Sequence, residues 1–463
     1  MSRQHGPPAD SSSIPTPSNA GLLKHVARIV STDTAPMLEE LREQYGRIVR
    51  IQMPTDDAAT YLLADPTYVQ QVLESNQANY RKAEIYRDEL GKIFGRGLLT
   101  SEGDHWSRQH RLIRPMFTSD SVQSFTELIA EQTDAMCDRW QEHADRGEPI
   151  QLLPEMERVT LRIIGKAMFS TDMEGHAEDI AESLQVLRRE FQRQTNRIRP
   201  TVPEWVPTPH NQQVKAARDQ LNTVVYGLIE DRRGQADEYD DLLSALMAAR
   251  EDETGERMDD EQIRDELMTF LLAGHETTAA ALTWTWYLLV RNPEIHESLH
   301  ASVDGHAGSE QGSPALGGDD PSYAKQCVQE AMRIYPPVPV FVREARKPDI
   351  IGGYEIPSGS EVLLSQYVVH RDPEYWEAPT EYRPERFTPG AAADRPAYSY
   401  FPFGGGPRMC IGRQFALLEA QMVLSRAVEQ YRLELDSPAV EPGVDSAVTM
   451  VPDEPLEMQV DEW

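Results

Sequence analysis

The chain has 463 residues and is strongly acidic, with 45 lysine and arginine residues against 76 aspartate and glutamate residues and a formal net charge of -31. Its length allows one large fold or a few domains, and its hydrophobic content of 40% excludes a disordered chain. Such an acidic protein is a poor partner for nucleic acid phosphates and for anionic lipid surfaces, so we expect it to bind neither.

Arginine far outnumbers lysine in this chain, while acidic residues occur in every segment. This surface predicts adaptation to a salt-rich, halophilic environment, because the Debye length falls to about 3 Å near 1 M salt and self-repulsion is then screened. The alternative is an acidic protein of ordinary salinity. Salt adaptation is the interpretation that the composition favours.

Residues 1–36 are rich in proline, serine and glycine and contain no apolar run of signal or anchor length, so they predict a flexible tail without a transmembrane anchor. Residues 37–463 are expected to form one domain. The chain has three cysteines, Cys137, Cys327 and Cys410, and no CxxC pair. This cysteine usage is typical of the reducing cytoplasm.

Strand patterns are concentrated near the N-terminus, and helical patterns dominate afterwards. Residues 37–53 predict a helix followed by a strand, and residues 59–76 predict a strand, a turn and a second helix. From Ser119 to about His300 the apolar period is that of amphipathic helices, and Gly305 to Ser322 form a predicted solvated loop. The predicted fold class is mainly α with a smaller β region (α+β).

The run "LMTFLLAGHETTAAALTWTWYLLV", Leu267 to Val290, is apolar enough to suggest a membrane span. His275 and Glu276 lie in its middle, however, where an acidic residue would cost roughly 2.5–3.5 kcal/mol in a bilayer. A central helix buried in a globular fold explains the run better. Its interior polar cluster is unsuited to packing alone and is a candidate for chemistry.

The stretch "FPFGGGPRMCIG", Phe401 to Gly412, places a lone cysteine on a glycine-rich loop before a predicted helix. A thiolate needs a cation, a metal or aligned N–H groups to lower its pKa, and this loop offers a close backbone approach and a helix N-terminus. No second cysteine or nearby histidine completes a zinc set. One thiolate as the sole protein ligand suits haem iron.

These residues resemble a known family. Phe403, Gly406, Arg408, Cys410 and Gly412 match the F-x-x-G-x-R-x-C-x-G haem-thiolate signature of the cytochrome P-450 superfamily. The resemblance covers the chain from about Met37 onward and implies haem b (iron protoporphyrin IX) held between the long central helix and the helix after the cysteine loop. It implies Cys410 as the metal ligand, with Phe403, Arg408 and Gly412 binding the cofactor.

Further motifs occur in the order that this family shows. "QEAMR" gives Glu330 and Arg333 as the E-x-x-R pair, and "YRPERF" gives Arg386 as the third member of a buried charge network. An exposed helix pair would be the alternative for Glu330 and Arg333. By resemblance these three residues are structural.

The segment "AGHETT" matches the oxygen-activating part of the family's central helix. By resemblance Thr277 and Glu276 are catalytic, because an interior hydroxyl beside a carboxylate can hold water and relay protons. His275 and Thr278 are expected to be structural helix residues.

The family's haem propionates need hydrogen-bond donors, and "HWSRQHR" together with the segment after the E-x-x-R helix supplies them. By resemblance these donors are Trp106, His110, Arg343 and Arg408. Arg111 or Arg114 could take the place of His110.

The sequence contains no Rossmann fingerprint and no cysteine cluster for an iron–sulfur centre. The resemblance therefore implies a separate ferredoxin or flavodoxin-type electron donor, docking near Arg408 and Arg413, and a monomeric haem-thiolate monooxygenase. An isomerase, dehydratase or peroxygenase on the same fold is an alternative, and so is a non-enzymatic haem binder or gas sensor.

The substrate is expected to be apolar and either fatty-acid-like or isoprenoid and terpenoid-like, because bulky apolar residues fall where the family lines its pocket. These residues are Phe94, Leu98, Leu99, Trp205, Val338, Val340 and Phe341. The arginines at 188, 189, 193, 197 and 199 form either a solvated helix face or a binding site for a substrate carboxylate, and the solvated face is favoured.

Overall fold

The structure is a computed structural model, and it describes residues 14–18, 34–52, 58–195, 202–249, 257–304, 322–437, 439, 441–446 and 448–463. Most of the predicted tail and most of the predicted loop before Ser322 lie outside these residues. Within the tail, Ile14 is buried, and the Pro15 carbonyl accepts a hydrogen bond from the Arg50 N–H at 3.0 Å.

Helices make up most of the described chain, as the sequence predicts. In chain order they are α1 (Thr34–Tyr45), α2 (Pro66–Gln70), α3 (Glu84–Asp88), α4 (Gly91–Phe94), α5 (Gly103–Ile113), α6 (Ser119–Gln123), α7 (Thr126–Arg146), α8 (Leu152–Phe169), α9 (Ala177–Thr195), α10 (Pro209–Arg232), α11 (Leu242–Ala248), α12 (Asp260–Arg291), α13 (Pro293–Asp304), α14 (Tyr323–Ile334), α15 (Gln366–Val369), α16 (Pro389–Ala393) and α17 (Arg413–Gln430).

Short strands form small sheets beside the helices. They are β1 (Ile48–Ile51), β2 (Thr60–Leu63), β3 (Tyr80–Lys82), β4 (Ile150–Gln151), β5 (Val340–Ala345), β6 (Asp349–Ile351), β7 (Tyr354–Ile356), β8 (Glu361–Ser365), β9 (Tyr431–Leu435), β10 (Val444–Asp445), β11 (Val451–Pro452) and β12 (Glu457–Glu462). The main sheet has the order β1-β2-β8-β5-β3, and β4-β12-β9 form a second sheet. These strands and the N-terminal helix and strand pattern confirm the predicted fold class.

Helix α12 is the central helix that the apolar run predicts. It begins at its N-cap Asp259, whose side chain accepts the N–H of Gln262, and Pro293 follows its end. Helix α8 packs along it, and the Thr160 hydroxyl donates to the carbonyl of His275 at 3.2 Å. No helix of the described ranges is long and apolar enough to cross a membrane.

The largest apolar core lies around α12 and joins α7, α8, α10, α14 and α17. Trp140, Trp284 and Trp286 are fully buried in it, and the indole N–H of Trp284 donates to the carbonyl of Met450 at 2.9 Å. Because rigid elements surround the middle of α12, the polar residues there occupy fixed positions.

Candidate active site

A cavity of about 680 Å³ lies at the centre of the molecule. The loop that carries Cys410 forms one wall, and the middle of α12, from Thr269 to Ala281, contributes to another. The cavity therefore brings together the cysteine loop and the polar centre of the long helix, which are more than a hundred residues apart in the sequence.

The backbone of the cysteine loop requires glycine at two close contacts. Gly406 has φ +61°, and a Cβ added to it would lie 1.9 Å from the Leu73 carbonyl oxygen. A Cβ added to Gly405 would lie 2.2 Å from the ring of Tyr398. The Cys410 N–H donates to the carbonyl of Phe403 at 2.9 Å, which closes the loop beneath the thiol.

The Cys410 side chain is exposed to the central cavity, whereas Cys137 and Cys327 are buried. The protein around the thiol still desolvates it and raises its pKa, while the N–H groups of Gly412 and Arg413 and the Arg413 charge act in the opposite direction. Because the surrounding residues leave the pKa raised, a bound metal cation is what would hold the sulfur as a thiolate.

Three cations meet at one edge of the cavity, and we call Lys82, Arg343 and Arg408 the cation cluster. Lys82 and Arg343 are direct partners across β3 and β5, where like charges repel. Burial and the charges of Arg408 and Arg343 together lower the pKa of Lys82 to about 7, although Glu102 and Glu266 act in the opposite direction. Glu102, 3.5 Å from Arg408, balances part of the positive charge of the cluster, and a bound anion would relieve the rest.

Trp106 and His110 extend this edge from α5. The guanidinium carbon of Arg408 lies 3.8 Å from the centre of the Trp106 ring, and the rings of Trp106 and His110 stack at 4.9 Å. His110 lines the cavity, whereas Arg111 and Arg114 are exposed and do not. Burial lowers the pKa of His110, and nearby arginines reinforce this effect.

The side chains of Glu276 and Thr277 lie on the α12 side of the cavity. The Thr277 hydroxyl donates to the carbonyl of Ala273 at 2.9 Å, a contact within its own helix. Glu276 forms a close ion pair with Arg188 of α9, and both side chains are largely buried. The carboxylate of Glu276 is therefore paired rather than free.

A second carboxyl group, Glu157 of α8, acts on the same arginine. Burial, reinforced by the charge of Glu276, raises the pKa of Glu157 to about 7, although the charge of Arg188 acts in the opposite direction. Arg188 in turn is stabilised as a cation by Glu276, Glu157 and Asp445. One buried arginine thus interacts with acidic groups from three other elements.

The rest of the cavity surface is mostly apolar, as predicted. Six of the seven expected pocket residues line it: Phe94, Leu98, Leu99, Val338, Val340 and Phe341. The prediction was wrong for Trp205, which is 83% exposed in a surface turn before α10. Unpredicted lining residues from the helices add apolar surface: Ile164, Leu184, Leu187, Phe191 and Phe270.

The arginines of α9 do not share one environment. Arg189 and Arg193 are exposed, as the predicted solvated face requires, and Arg197 and Arg199 lie outside the described residues. The solvated interpretation was wrong for Arg188, which lines the cavity and is paired there with Glu276.

Glu330, Arg333 and Arg386 form the buried network that the motif predicts. Arg333 donates to Glu330 at 2.7 and 2.9 Å, and both side chains have no exposed surface. Arg386 donates to Glu330 at 3.1 Å, and Arg333 also reaches the carbonyl of His370 at 2.9 Å. None of the three residues is part of the cavity lining, so their position is that of a structural support.

Surface ion pairs join two segments near the cavity. Glu204 pairs with Lys92 of α4 at 2.9 Å and with Arg218 of α10 at 3.1 Å. Ile93 and Phe94, next to Lys92, line the cavity. These ion pairs therefore link α4, which lines the cavity, to the turn that carries Trp205.

The residues present fit a haem group. A single cysteine faces a cavity with apolar walls, and the cation cluster at its edge suits two propionates. A Cβ on Gly412 would meet only the Cys410 sulfur at 4.0 Å and Phe117 at 3.9 Å, so the protein itself does not require glycine there. A ligand lying over the sulfur would require it.

Sequence reasoning missed Lys82 and Glu157, and for Arg188 it favoured the solvated alternative. Each is a charged residue on a short strand or an amphipathic helix, where a solvated position is the ordinary expectation. The neighbouring arginine and acidic residues that define their roles come from distant parts of the chain, so no local pattern identified them.

Comparisons with known proteins identify the family of the chain. The family model described as "Cytochrome P450", here written P-450, matches residues 15–460. The chain is 36% identical over 400 residues to cyclooctatin synthase from Streptomyces melanosporofaciens, covering 84% of this chain and 83% of that protein. It is 30% identical to pentalenene oxygenase from Streptomyces avermitilis, covering 85% and 86% of the two chains.

The solved structures identify the same family. The crystal structure of the haem domain of cytochrome P-450DA superimposes with a TM-score of 0.84 at 25% identity, covering 99% of each chain. The protein belongs to the cytochrome P-450 family, as a haem b oxidoreductase that incorporates oxygen from dioxygen with electrons from a redox partner.

Proposed function

We propose that this protein hydroxylates a neutral, isoprenoid or terpenoid-like substrate. The observation that carries the proposal is the cavity, whose surface away from the cation cluster is built mainly of leucine, valine, isoleucine and phenylalanine side chains. Such a surface gains roughly 25 cal/mol for each Å² of apolar ligand removed from water. The relatives named for cyclooctatin and pentalenene chemistry support the terpenoid class.

A fatty acid is the weaker of the two predicted substrate classes. Its carboxylate would need a cation in the substrate part of the cavity, and Arg188 is already paired with Glu276 there. The cation cluster lies at the other edge, where we assign it to the haem propionates. A neutral substrate leaves both arrangements intact.

We assign Cys410 as the iron ligand and Trp106, His110, Arg343 and Arg408 as donors to the propionates. Lys82 adds positive charge nearby while its ammonium binds the main-chain carbonyls of Leu99 and Ser101. Phe403 and Gly412 would lie against the cofactor. Bound haem supplies the iron at which dioxygen is activated. The protein's own residues position the substrate, exclude water and deliver protons.

Glu276 and Thr277 are assigned to proton delivery. The Thr277 hydroxyl faces the cavity and can hold a water molecule near the reacting atoms. Glu276 can exchange protons with that water once it leaves Arg188, and Glu157 offers Arg188 an alternative partner. Release of Glu276 is therefore the step that these contacts control.

The electron donor is proposed to be a separate ferredoxin or flavodoxin-type protein that binds a monomer. Arg413 is exposed beside Cys410 and remains a candidate for its docking. The guanidinium of Arg408, by contrast, lies over Trp106 at the cavity edge and does not suit a docking surface.

A spectral titration tests the substrate class. Holoprotein should show a low-to-high-spin shift with cyclic terpene hydrocarbons and alcohols, and a weaker shift with fatty acids of equal carbon number. Turnover with NADH and a ferredoxin system should then give a hydroxylated terpenoid. A spin shift with fatty acids alone, or with small polar ligands alone, would refute the proposed substrate.

A further inference from the structure

The segment between α4 and α5, which we call the 95–99 loop, lies directly against α12. The Arg96 N–H donates to Asp265 at 2.6 Å, and the Leu98 N–H donates to Glu266 at 3.0 Å. Asp265 is 6% exposed and Glu266 has no exposed surface. Two consecutive buried carboxyl groups of the central helix thus bind main-chain N–H groups of one loop.

Two glycines allow this loop to reach the helix. A Cβ added to Gly95, whose φ is +55°, would lie 2.0 Å from a carboxyl oxygen of Asp265. A Cβ added to Gly97 would lie 2.3 Å from the Thr269 hydroxyl and 2.4 Å from the Asp265 carbonyl oxygen. The backbone of the loop therefore sits as close to α12 as atoms allow.

Other contacts hold the opposite side of the loop. The Thr100 hydroxyl donates to the carbonyl of Gly95 at 2.8 Å, and the Gln109 amide donates to that of Arg96 at 2.9 Å. The Lys82 ammonium binds the Leu99 carbonyl. The main chain of the loop is thus fixed on both sides, with α12 on one and α5 and β3 on the other.

The side chains of this fixed loop form part of the cavity wall. Phe94 precedes the loop and lines the cavity together with Leu98 and Leu99. We propose that Asp265 and Glu266 form a clamp that sets the position of the 95–99 loop, and that Glu266 is thereby a positioning residue for substrate size. The inference rests on the central cavity being the substrate site.

The chemistry of Glu266 supports a role beyond packing. One of its carboxyl oxygens is buried without a hydrogen-bond partner among the described residues, which costs folding free energy that an apolar side chain would save. Burial, reinforced by the charge of Asp265, raises its pKa to about 8, although the Leu98 N–H and the charge of Lys82 act in the opposite direction. At neutral pH Glu266 therefore binds the loop mainly as the uncharged acid.

Gly97→Ala tests the clamp most directly, because the added methyl group must push the loop away from α12. Gly91→Ala is the matched control, since a Cβ there meets nothing within 4 Å. Glu266→Leu removes the acceptor for Leu98, and Glu266→Gln keeps an uncharged acceptor. The probes are 1-phenylimidazole and the bulkier clotrimazole, whose imidazole nitrogens bind haem iron and shift its Soret band.

The readout is the ratio of the two azole dissociation constants in holoprotein at pH 7. We expect Gly97→Ala and Glu266→Leu to change the ratio by about tenfold, the scale of one misplaced methylene in an apolar pocket. Gly91→Ala and Glu266→Gln should stay within about twofold of the unmodified protein.

Equal ratios for Gly97→Ala and Gly91→Ala would overturn the clamp. If Glu266→Leu does not retain haem, the comparison of Gly97→Ala with Gly91→Ala alone tests the clamp. The cavity assignment is tested separately, because haem-loaded unmodified protein that responds to neither azole would refute it, whatever the variants do.

Discussion

At the scale of single residues, Cys410 is distinguished from the other two cysteines by its place in the cavity. We expect Cys410→Ser to abolish the strongly red-shifted Soret band of the reduced, carbon monoxide-bound protein, because an alcohol is a poor substitute for a thiolate ligand. Cys137→Ser, at a buried site away from the cavity, is the control and should keep the band. A Cys410→Ser protein with the unchanged band would exclude this ligand.

Thr277 should govern how efficiently electrons reach product. Thr277→Ala removes the cavity hydroxyl and is expected to lower product formed per NADH consumed by about tenfold or more, with the reducing equivalents diverted to hydrogen peroxide. Thr277→Ser keeps a hydroxyl and serves as the control. Equal coupling in the alanine and serine variants would show that the hydroxyl only fills space.

Glu266 should make the stability of the fold pH dependent. Its pKa is raised from 4.5 to about 8. Between these values the folded protein holds a proton that the unfolded chain releases, so the free energy of unfolding falls as pH rises. In Glu266→Gln the free energy of unfolding should fall less steeply with pH, by up to about 1.4 kcal/mol per pH unit.

Denaturant unfolding at several pH values between about 5 and 8 measures this effect. Glu261→Gln is the control, because Glu261 is exposed on the first turn of the same helix. Parallel pH profiles for Glu266→Gln and the unmodified protein would show that Glu266 is ionised in the folded state.

At the scale of elements, the pair of Arg188 and Glu276 joins α9 to α12 across the cavity. Arg188→Met leaves Glu276 without its partner and should destabilise the protein by about 3 kcal/mol. Adding Glu276→Gln should restore much of that loss. Arg189→Met, at the exposed neighbouring position, is expected to be nearly neutral.

Unfolding free energies of the single and double variants form a cycle that isolates the pair. If the two single changes simply add, the residues do not interact in solution and α9 is held to α12 by apolar packing alone.

The elements and the place of the cysteine loop in the cavity were predictable because their signals are local. The cysteine loop carries its glycines within a few residues of Cys410, and the period of Leu267 to Val290 identifies a helix. The charge pairs of the cavity were not predictable, since Arg188 and Glu276 are 88 positions apart and meet only through helix packing. The pocket prediction was wrong for Trp205 because an apolar residue in a segment near the pocket can still face solvent.

At the scale of the whole molecule, the net charge of -31 predicts a stability that depends on salt. The melting temperature should rise by several degrees between dilute buffer and about 1 M KCl, because screening weakens the repulsion between surface carboxylates. Sucrose is the control, since it favours compact states without screening charge. A flat response to KCl, or an equal rise with sucrose, would leave the protein acidic but not salt-adapted.

The ion pairs of Glu204 with Lys92 and Arg218 add a kinetic consequence to this salt dependence. A substrate that passes between α4 and the turn before α10 must first separate these surface charges. Dissolved ions weaken such exposed pairs, whereas the apolar cavity behind them keeps its affinity. The rate constants of substrate association and dissociation would then both increase in salt, while their ratio, the dissociation constant, would change little. Ionic strength would therefore control how fast substrate exchanges and not how much of it is bound.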